Sequence, residues 1–174
     1  ELLLREQRFI ACRRGVAAVI FPEGTRARDG ELGKFRPRGT LALLDAAPEW
    51  ERLRTRMVEV VDNIPVLRDK VSPVPLHPTL LRWQPDDEFD LTYHLRRISL
   101  PAGASMQDLL DWARSVAAGG FDPTRPLWEF TLLEGMPDGR AALVMKVHHA
   151  LTAGIGGVQL AAHVVDLQRE PSDL

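Results

Sequence analysis

The sequence predicts a mixed α/β domain of two layers (α+β), and three observations carry that expectation. Val16–Phe21 is a short unbroken apolar run with β-branched residues, which is the pattern of a buried strand. Trp50, Leu53, Met57, Val60, Val61 and Ile64 recur at helical spacing. Leu127–Glu134 and Arg140–His148 are two apolar segments of strand length joined by Gly135-Met-Pro-Asp-Gly139, which reads as a hairpin.

Taken in order, Glu1–Arg14 carries Leu3, Leu4 and Ile10 among charges and predicts the second half of a helix ending at Gly15. The strand Val16–Phe21 leads into a polar Gly-, Arg- and Pro-rich loop over Pro22–Gly39, and a short helix is expected over Thr40–Ala47. Pro48 and Glu49 open the Trp50–Ile64 helix with a proline and an acidic first turn. A connector with prolines at 65, 73, 75, 78 and 85 follows. Phe89, Leu91, Tyr93 and Leu95 alternate with polar residues and predict a half-buried strand. Ser105 and Asp108 have capping-box spacing ahead of the apolar face Leu109, Leu110, Ala113, Val116 and Ala117, and Gly119-Gly120 ends that helix. After the hairpin, Val158–Leu167 predicts a buried helix.

Composition narrows the classes. With 45% apolar and 26% charged residues, the 174-residue chain has the balance of a globular protein and the length of one domain or pieces of two. A net charge of -2 supplies no basic field, so nucleic acid is not an expected partner. Cys12 is the single cysteine and fits a reducing compartment. No stretch reaches the ~18 apolar residues of a membrane span. Glu1 begins within a helical pattern and Leu174 closely follows another, so both ends read as cut from a longer chain.

The segment from Ala141 to His149 is the most informative. Side chains alternate along a strand, so His149 shares a face with Leu143, Met145 and Val147, and His148 shares one with Val144 and Lys146. The first face is uniformly apolar and points His149 inward. A neutral imidazole there is a usable general base, with an ordinary pKa of about 6.5. Glycines at 154, 156 and 157 allow a sharp turn close to a ligand. A His-His pair alone reads more readily as one or two histidines satisfying backbone groups in a core, and spacing by itself does not decide for catalysis.

His148-His149-Ala-Leu-Thr-Ala153-Gly154 resembles the His-His-x-x-x-Asp-Gly motif of CoA-dependent acyltransferases. Phe89-Asp-Leu-Thr-Tyr-His-Leu-Arg96 with Leu100-Pro101, and Arg125-Pro-Leu-Trp-Glu129, narrow the resemblance to the wax ester synthase/diacylglycerol acyltransferase family. The resemblance covers about residue 50 to the end. It implies the first half of a chloramphenicol-acetyltransferase-like fold. It also implies transfer of a fatty acyl group from acyl-CoA to diacylglycerol or a long-chain alcohol. His149 would be the general base and His148 its supporting neighbour, with Gly154 in the motif turn. Arg125, Pro126 and Trp128 would be structural, and His94 a packing residue. No cofactor and no metal are implied, acyl-CoA being a co-substrate. The implied setting is cytoplasmic, on the inner face of the cell membrane or a lipid-droplet surface. The family's motif Asp, which pairs with an arginine, is Ala153 here. Two other readings stay open: a condensation-type acyltransferase with a different acceptor, and a non-catalytic lipid-surface remnant.

Nearer the front, Phe21-Pro-Glu-Gly-Thr-Arg26 follows the first strand, and Arg28, Lys34, Arg36 and Arg38 add positive charge. Backbone N–H groups of such a turn and the Arg26 guanidinium suit a phosphate. The hexapeptide, with Gly33-Lys34-Phe35 and Gly39, resembles glycerol-3-phosphate/lysophosphatidate acyltransferases. That resemblance implies phosphate binding by Glu23, Gly24, Thr25 and Arg26. None of the five histidines precedes the turn, so the family's catalytic His and Asp are missing and the segment reads as a strand-loop-helix remnant. Two units are expected: 1–47, the remnant, and 48–174, the histidine-bearing half.

Overall fold

The computed structural model describes residues 8–11, 16–20, 38–148 and 150–151. The described elements are β1 (Arg8–Ala11), β2 (Val16–Ile20), β3 (Arg38–Leu44), α1 (Trp50–Asn63), a 3-10 turn (Pro65–Arg68), β4 (Asp69–Val74), β5 (His77–Pro85), α2 (Leu91–His94), β6 (Leu95–Ser99), α3 (Met106–Ala118), β7 (Trp128–Glu134), a second 3-10 turn (Pro137–Gly139) and β8 (Ala141–Val147). Six strands form one sheet in the order β1-β2-β3-β8-β7-β6, and β4 and β5 form a separate hairpin. Every pair in the large sheet is antiparallel except β6 with β7.

The sheet is apolar on both faces because it carries a helix on each. Leu53, Met57, Val60 and Val61 of α1 pack with Leu67, Trp128, Phe130, Leu132, Leu143, Met145 and Val147. On the other face, Leu109 and Ala113 of α3 pack with Leu41, Leu133, Ala142 and Val144. The α/β class stands as the sequence predicts it, but the expected two layers are three, because α1 covers one face of the sheet and α3 the other. The Ser105 capping box is formed: the Ser105 hydroxyl accepts from the Asp108 amide, and the Asp108 carboxylate accepts from the Ser105 amide at 2.7 Å.

Four local expectations are corrected. Thr40–Ala47 is not a helix, since Arg38–Leu44 forms β3. Its Leu and Ala residues favour helix intrinsically. A central place between β2 and β8, with Leu41 on the α3 face and Ala42 on the α1 face, overrides that preference. Arg8–Ala11, within the expected first helix, is strand β1, paired with β2. The expected Phe89–Leu95 strand begins only at Leu95. The Asp90 carboxylate accepts from the Thr92 amide at 2.9 Å and its hydroxyl at 2.6 Å, capping one helical turn instead. The proline-rich connector contains the β4–β5 hairpin.

Residues 38–44 pair with 141–147 along the whole of β3, so the sheet extends to the front side of the boundary expected at 47/48. The Pro22–Gly39 loop apart from its last two residues, and the Val158–Leu167 helix, lie outside the described residues. Among the described residues no helix is long and apolar enough to cross a membrane.

Candidate active site

β8 delivers the histidine pair. It is hydrogen-bonded to β3 on one side and β7 on the other, and all seven of its residues are buried. The ladder runs one residue further, where the His148 amide donates to the Leu127 carbonyl at 2.9 Å. The His148 carbonyl then accepts from the Leu151 amide at 3.0 Å, turning the chain away from the strand.

The His148 ring is held from two directions. Its Nδ1 accepts a 3.2 Å hydrogen bond from the Ala150 amide. A backbone amide can only donate, so the neutral ring carries its hydrogen on Nε2. Phe121 meets the ring nearly edge-on, with centroids 6.1 Å apart and planes at 72°.

Lys146, on the same strand face, is buried at 3% exposure. Its ammonium donates to the Gly120 carbonyl at 2.8 Å, sits 4.3 Å from the Phe121 ring centroid and lies 3.8 Å from the Glu129 carboxylate. Burial pulls the Lys146 pKa below its ordinary value against the opposing pull of Glu129, and Arg96 adds to the lowering. Lys146 therefore ties the Gly120-Phe121 segment after α3 to β8, and Phe121 rests on His148. The sequence puts Lys146 on this face and by itself assigns it no role. The available signal was a single charge within an otherwise apolar strand.

The Arg125-Pro-Leu-Trp motif enters β7. Arg125 Nη1 donates to the Glu88 carbonyl at 2.5 Å and lies 3.4 Å from the Asp86 carboxylate. Asp86 also accepts from Lys70 Nζ at 2.9 Å and the Glu88 amide at 3.3 Å. Burial alone would raise the Asp86 pKa, but Lys70, the Glu88 amide and Arg125 together hold it below the usual carboxylate value. Pro126 is fully buried. Trp128, also fully buried, donates from Nε1 to the Leu67 carbonyl at 2.7 Å.

His94 stacks on Trp128 with centroids 4.6 Å apart and on Phe89 at 5.2 Å. Its Nδ1 donates to the Trp128 carbonyl at 2.7 Å, so the neutral ring leaves Nε2 unprotonated, and that atom is buried without a hydrogen-bond partner among the described residues. Burial pulls the His94 pKa down, against the Trp128 carbonyl.

Arg125, Pro126, Trp128 and His94 thus form one assembly at the start of β7, next to the strand that ends at His148. His149, Ala153 and Gly154 lie outside the described residues, as do Glu23, Gly24, Thr25 and Arg26. Among the described residues no group of three or more His, Cys, Asp or Glu could hold a metal ion.

A mixed sheet flanked by helices, with an interior strand leading to the histidine pair in the sequence, is the arrangement that the resemblance to CoA-dependent acyltransferases implies. The model of the wax ester synthase/diacylglycerol acyltransferase catalytic domain matches residues 29–174, and the chain belongs to that family. Two Mycobacterium tuberculosis proteins, each named as a candidate diacylglycerol O-acyltransferase, are similar. One is 44% identical over 132 residues, covering 75% of this chain and 27% of the relative. The other is 35% identical over 136 residues, covering 78% and 48%. The chain thus spans about a quarter and about half of these relatives' lengths.

Among solved structures, the wax ester synthase/diacylglycerol acyltransferase from Marinobacter aquaeolei superposes with a TM-score of 0.56 at 26% identity, covering 71% of this chain and 31% of that one. The starter condensation domain of rhizomide synthetase gives a TM-score of 0.62 at 18% identity over 76% of this chain and 32% of its own, a likeness of fold alone.

Proposed function

We propose that this chain supplies the histidine-bearing part of an acyl-CoA-dependent O-acyltransferase that esterifies diacylglycerol or a long-chain alcohol. The observation that carries the reading is the His148-His149 pair directly after β8, a strand fixed on both sides, within the span matched by the family. His149 is the general base: its imidazole takes the proton of the acceptor hydroxyl as the oxygen attacks the thioester carbonyl of acyl-CoA. The CoA thiolate leaves and the ester remains, with no covalent acyl-enzyme. His148, ordered by Ala150 and Phe121, is a supporting neighbour that shapes the site.

The acceptor, contact with the cytoplasmic face of a membrane or a lipid droplet, and the absence of any cofactor belong to the same proposal. So does a two-part origin, with 1–47 as a lysophosphatidate-type remnant binding phosphate through Glu23, Gly24, Thr25 and Arg26. That last element is supported by its motif alone.

Labelled acyl-CoA offered with diacylglycerol, hexadecanol or an amine tests the reaction and its acceptor. Ester formation that disappears in His149→Ala supports the reading, and amide formation would move it to a condensation-type enzyme. A second reading, a catalytically inactive lipid-surface segment, is favoured by Ala153 at the position of the motif Asp. Ala153→Asp in the full-length context separates the two. If neither form transfers acyl groups and His149→Ala changes nothing, the enzyme reading is abandoned.

A further inference from the structure

The β4–β5 hairpin stands apart from the large sheet and exposes apolar side chains that the other described residues leave uncovered. Leu76 is 95% exposed, Leu81 60%, Leu80 57% and Trp83 38%. Pro75 and Leu76 form the two-residue turn between Val74 and His77, which pair with each other. Leu76 has a φ of 68°, a left-handed conformation that turns ordinarily give to glycine or asparagine. A bulky leucine there costs stability in water, and its side chain makes no compensating burial. The feature is explained if the side chain is buried elsewhere, in something the hairpin meets.

We infer that this hairpin is a docking element that inserts its leucine tip into an anionic lipid surface. Three features favour a bilayer over a protein partner. First, Leu80 and Leu81 are neighbours on β5 and project from opposite faces of the hairpin, and both are exposed. A flat protein partner covers one face, whereas a bilayer surrounds the tip. Second, the segment from Lys70 to Gln84 contains Lys70 and Arg82 and no carboxylate. Lys70 is engaged by Asp86 at the hairpin's base, while exposed Arg82 stands between Leu81 and Trp83. An exposed cation on the same face as Leu80, with Leu81 and Trp83 on the other face, suits the boundary between headgroups and acyl chains. Third, Pro73 lies within β4 and Pro75 in the turn, and each lacks the N–H that edge-to-edge pairing with a second copy requires.

The inference rests on the membrane-contact part of the proposed function, and it is tested without turnover. The chain is sedimented with sucrose-loaded vesicles of phosphatidylcholine, with and without phosphatidylglycerol, in the absence of acyl-CoA and acceptor. Binding to the anionic vesicles is expected, reduced about tenfold by Leu76→Asn and by the paired change Leu80→Ser/Leu81→Ser. Arg82→Glu is expected to remove the preference for phosphatidylglycerol. Asparagine accepts the Leu76 backbone conformation better than leucine, so Leu76→Asn keeps or raises the denaturation midpoint, and lost binding cannot be ascribed to unfolding. The inference is overturned if the chain stays in the supernatant with both vesicle types, or if the leucine variants sediment like the parent. It is equally overturned if those variants alter only self-association in the ultracentrifuge. Failure of vesicle binding leaves the acyl-transfer assay to stand or fall by itself.

Discussion

The indole nitrogen of Trp128 donates a 2.7 Å hydrogen bond to the carbonyl oxygen of Leu67, 61 residues earlier in the chain. The bond closes the 3-10 turn after α1 onto the first residue of β7, and Trp128 faces Val147 across the β7–β8 ladder. Helix, turn and histidine-bearing strand therefore share one anchor. Trp128→Phe keeps an aromatic ring but leaves a void and a carbonyl without its donor, so a loss of about 2–4 kcal/mol is expected in urea unfolding. A loss well under 1 kcal/mol would show that the anchor is dispensable.

His94 makes stability depend on pH. Its pKa is lowered by burial, so the folded state binds fewer protons than the unfolded one once the pH drops below the ordinary value of about 6.5. The stability tied to the neutral ring is therefore present above that value and lost as the pH falls through the lower folded value. His94→Phe retains the stacking on Trp128 and Phe89 and gives up the bond to the Trp128 carbonyl, at a cost of about 1 kcal/mol at pH 7.5. Urea midpoints at pH 7.5 and 5 should converge for parent and variant on the acid side. A gap that stays constant would remove His94 from the account.

Lys146→Met tests the clamp beside His148. Methionine keeps an apolar stem and relieves the cost of a buried charge, but it leaves the Gly120 carbonyl without its donor and removes the ammonium from Phe121. These effects partly offset, leaving a net loss of about 1 kcal/mol. The more telling readout is local. The NMR signals of the His148 ring should shift, because Phe121 is no longer drawn toward the sheet. An unchanged His148 spectrum would mean that Phe121 holds its place without the lysine.

Gly135 follows β7 with a φ of 85°, and a Cβ added there would lie 3.1 Å from the Leu100 carbonyl oxygen. Gly135→Ala therefore meets both backbone strain and a contact with main chain that has little room to yield. A loss of more than about 1 kcal/mol is expected in thermal or urea unfolding, where an exposed glycine elsewhere would lose less.

The family and the histidine strand were legible in the sequence because their signals are local or stand in register. The α1 and α3 faces follow from helical spacing, and the capping box at Ser105 follows from a four-residue pattern. The β7–β8 hairpin follows from apolar runs around a Gly-containing turn. What stayed hidden depends on partners distant in the chain. β3 reads as a helix because Thr40–Ala47 is rich in leucine and alanine, and only its place between β2 and β8 makes it a strand. Leu91 and Tyr93 alternate convincingly, yet the side chain of Asp90 bends that stretch into a helical turn. Asp86 looks like an ordinary surface charge until Lys70 and Arg125 are brought to it, and Lys146, a lone charge in an apolar strand, finds its partners Gly120 and Glu129 only in the fold.

The position of β8 also governs the order in which the sheet can be assembled. Before residue 141 leaves the ribosome, β1, β2 and β3 can form one ribbon and β6 and β7 another, but no described strand connects them. β3 must wait about a hundred residues for its second neighbour, a long loop to close and a long interval for an apolar edge to stay unpaired. β8 then stitches both ribbons at once. The strand that presents the histidines is thus also the seam of the nascent sheet, and translational pausing or truncation ahead of it would leave two sticky half-sheets in place of one domain.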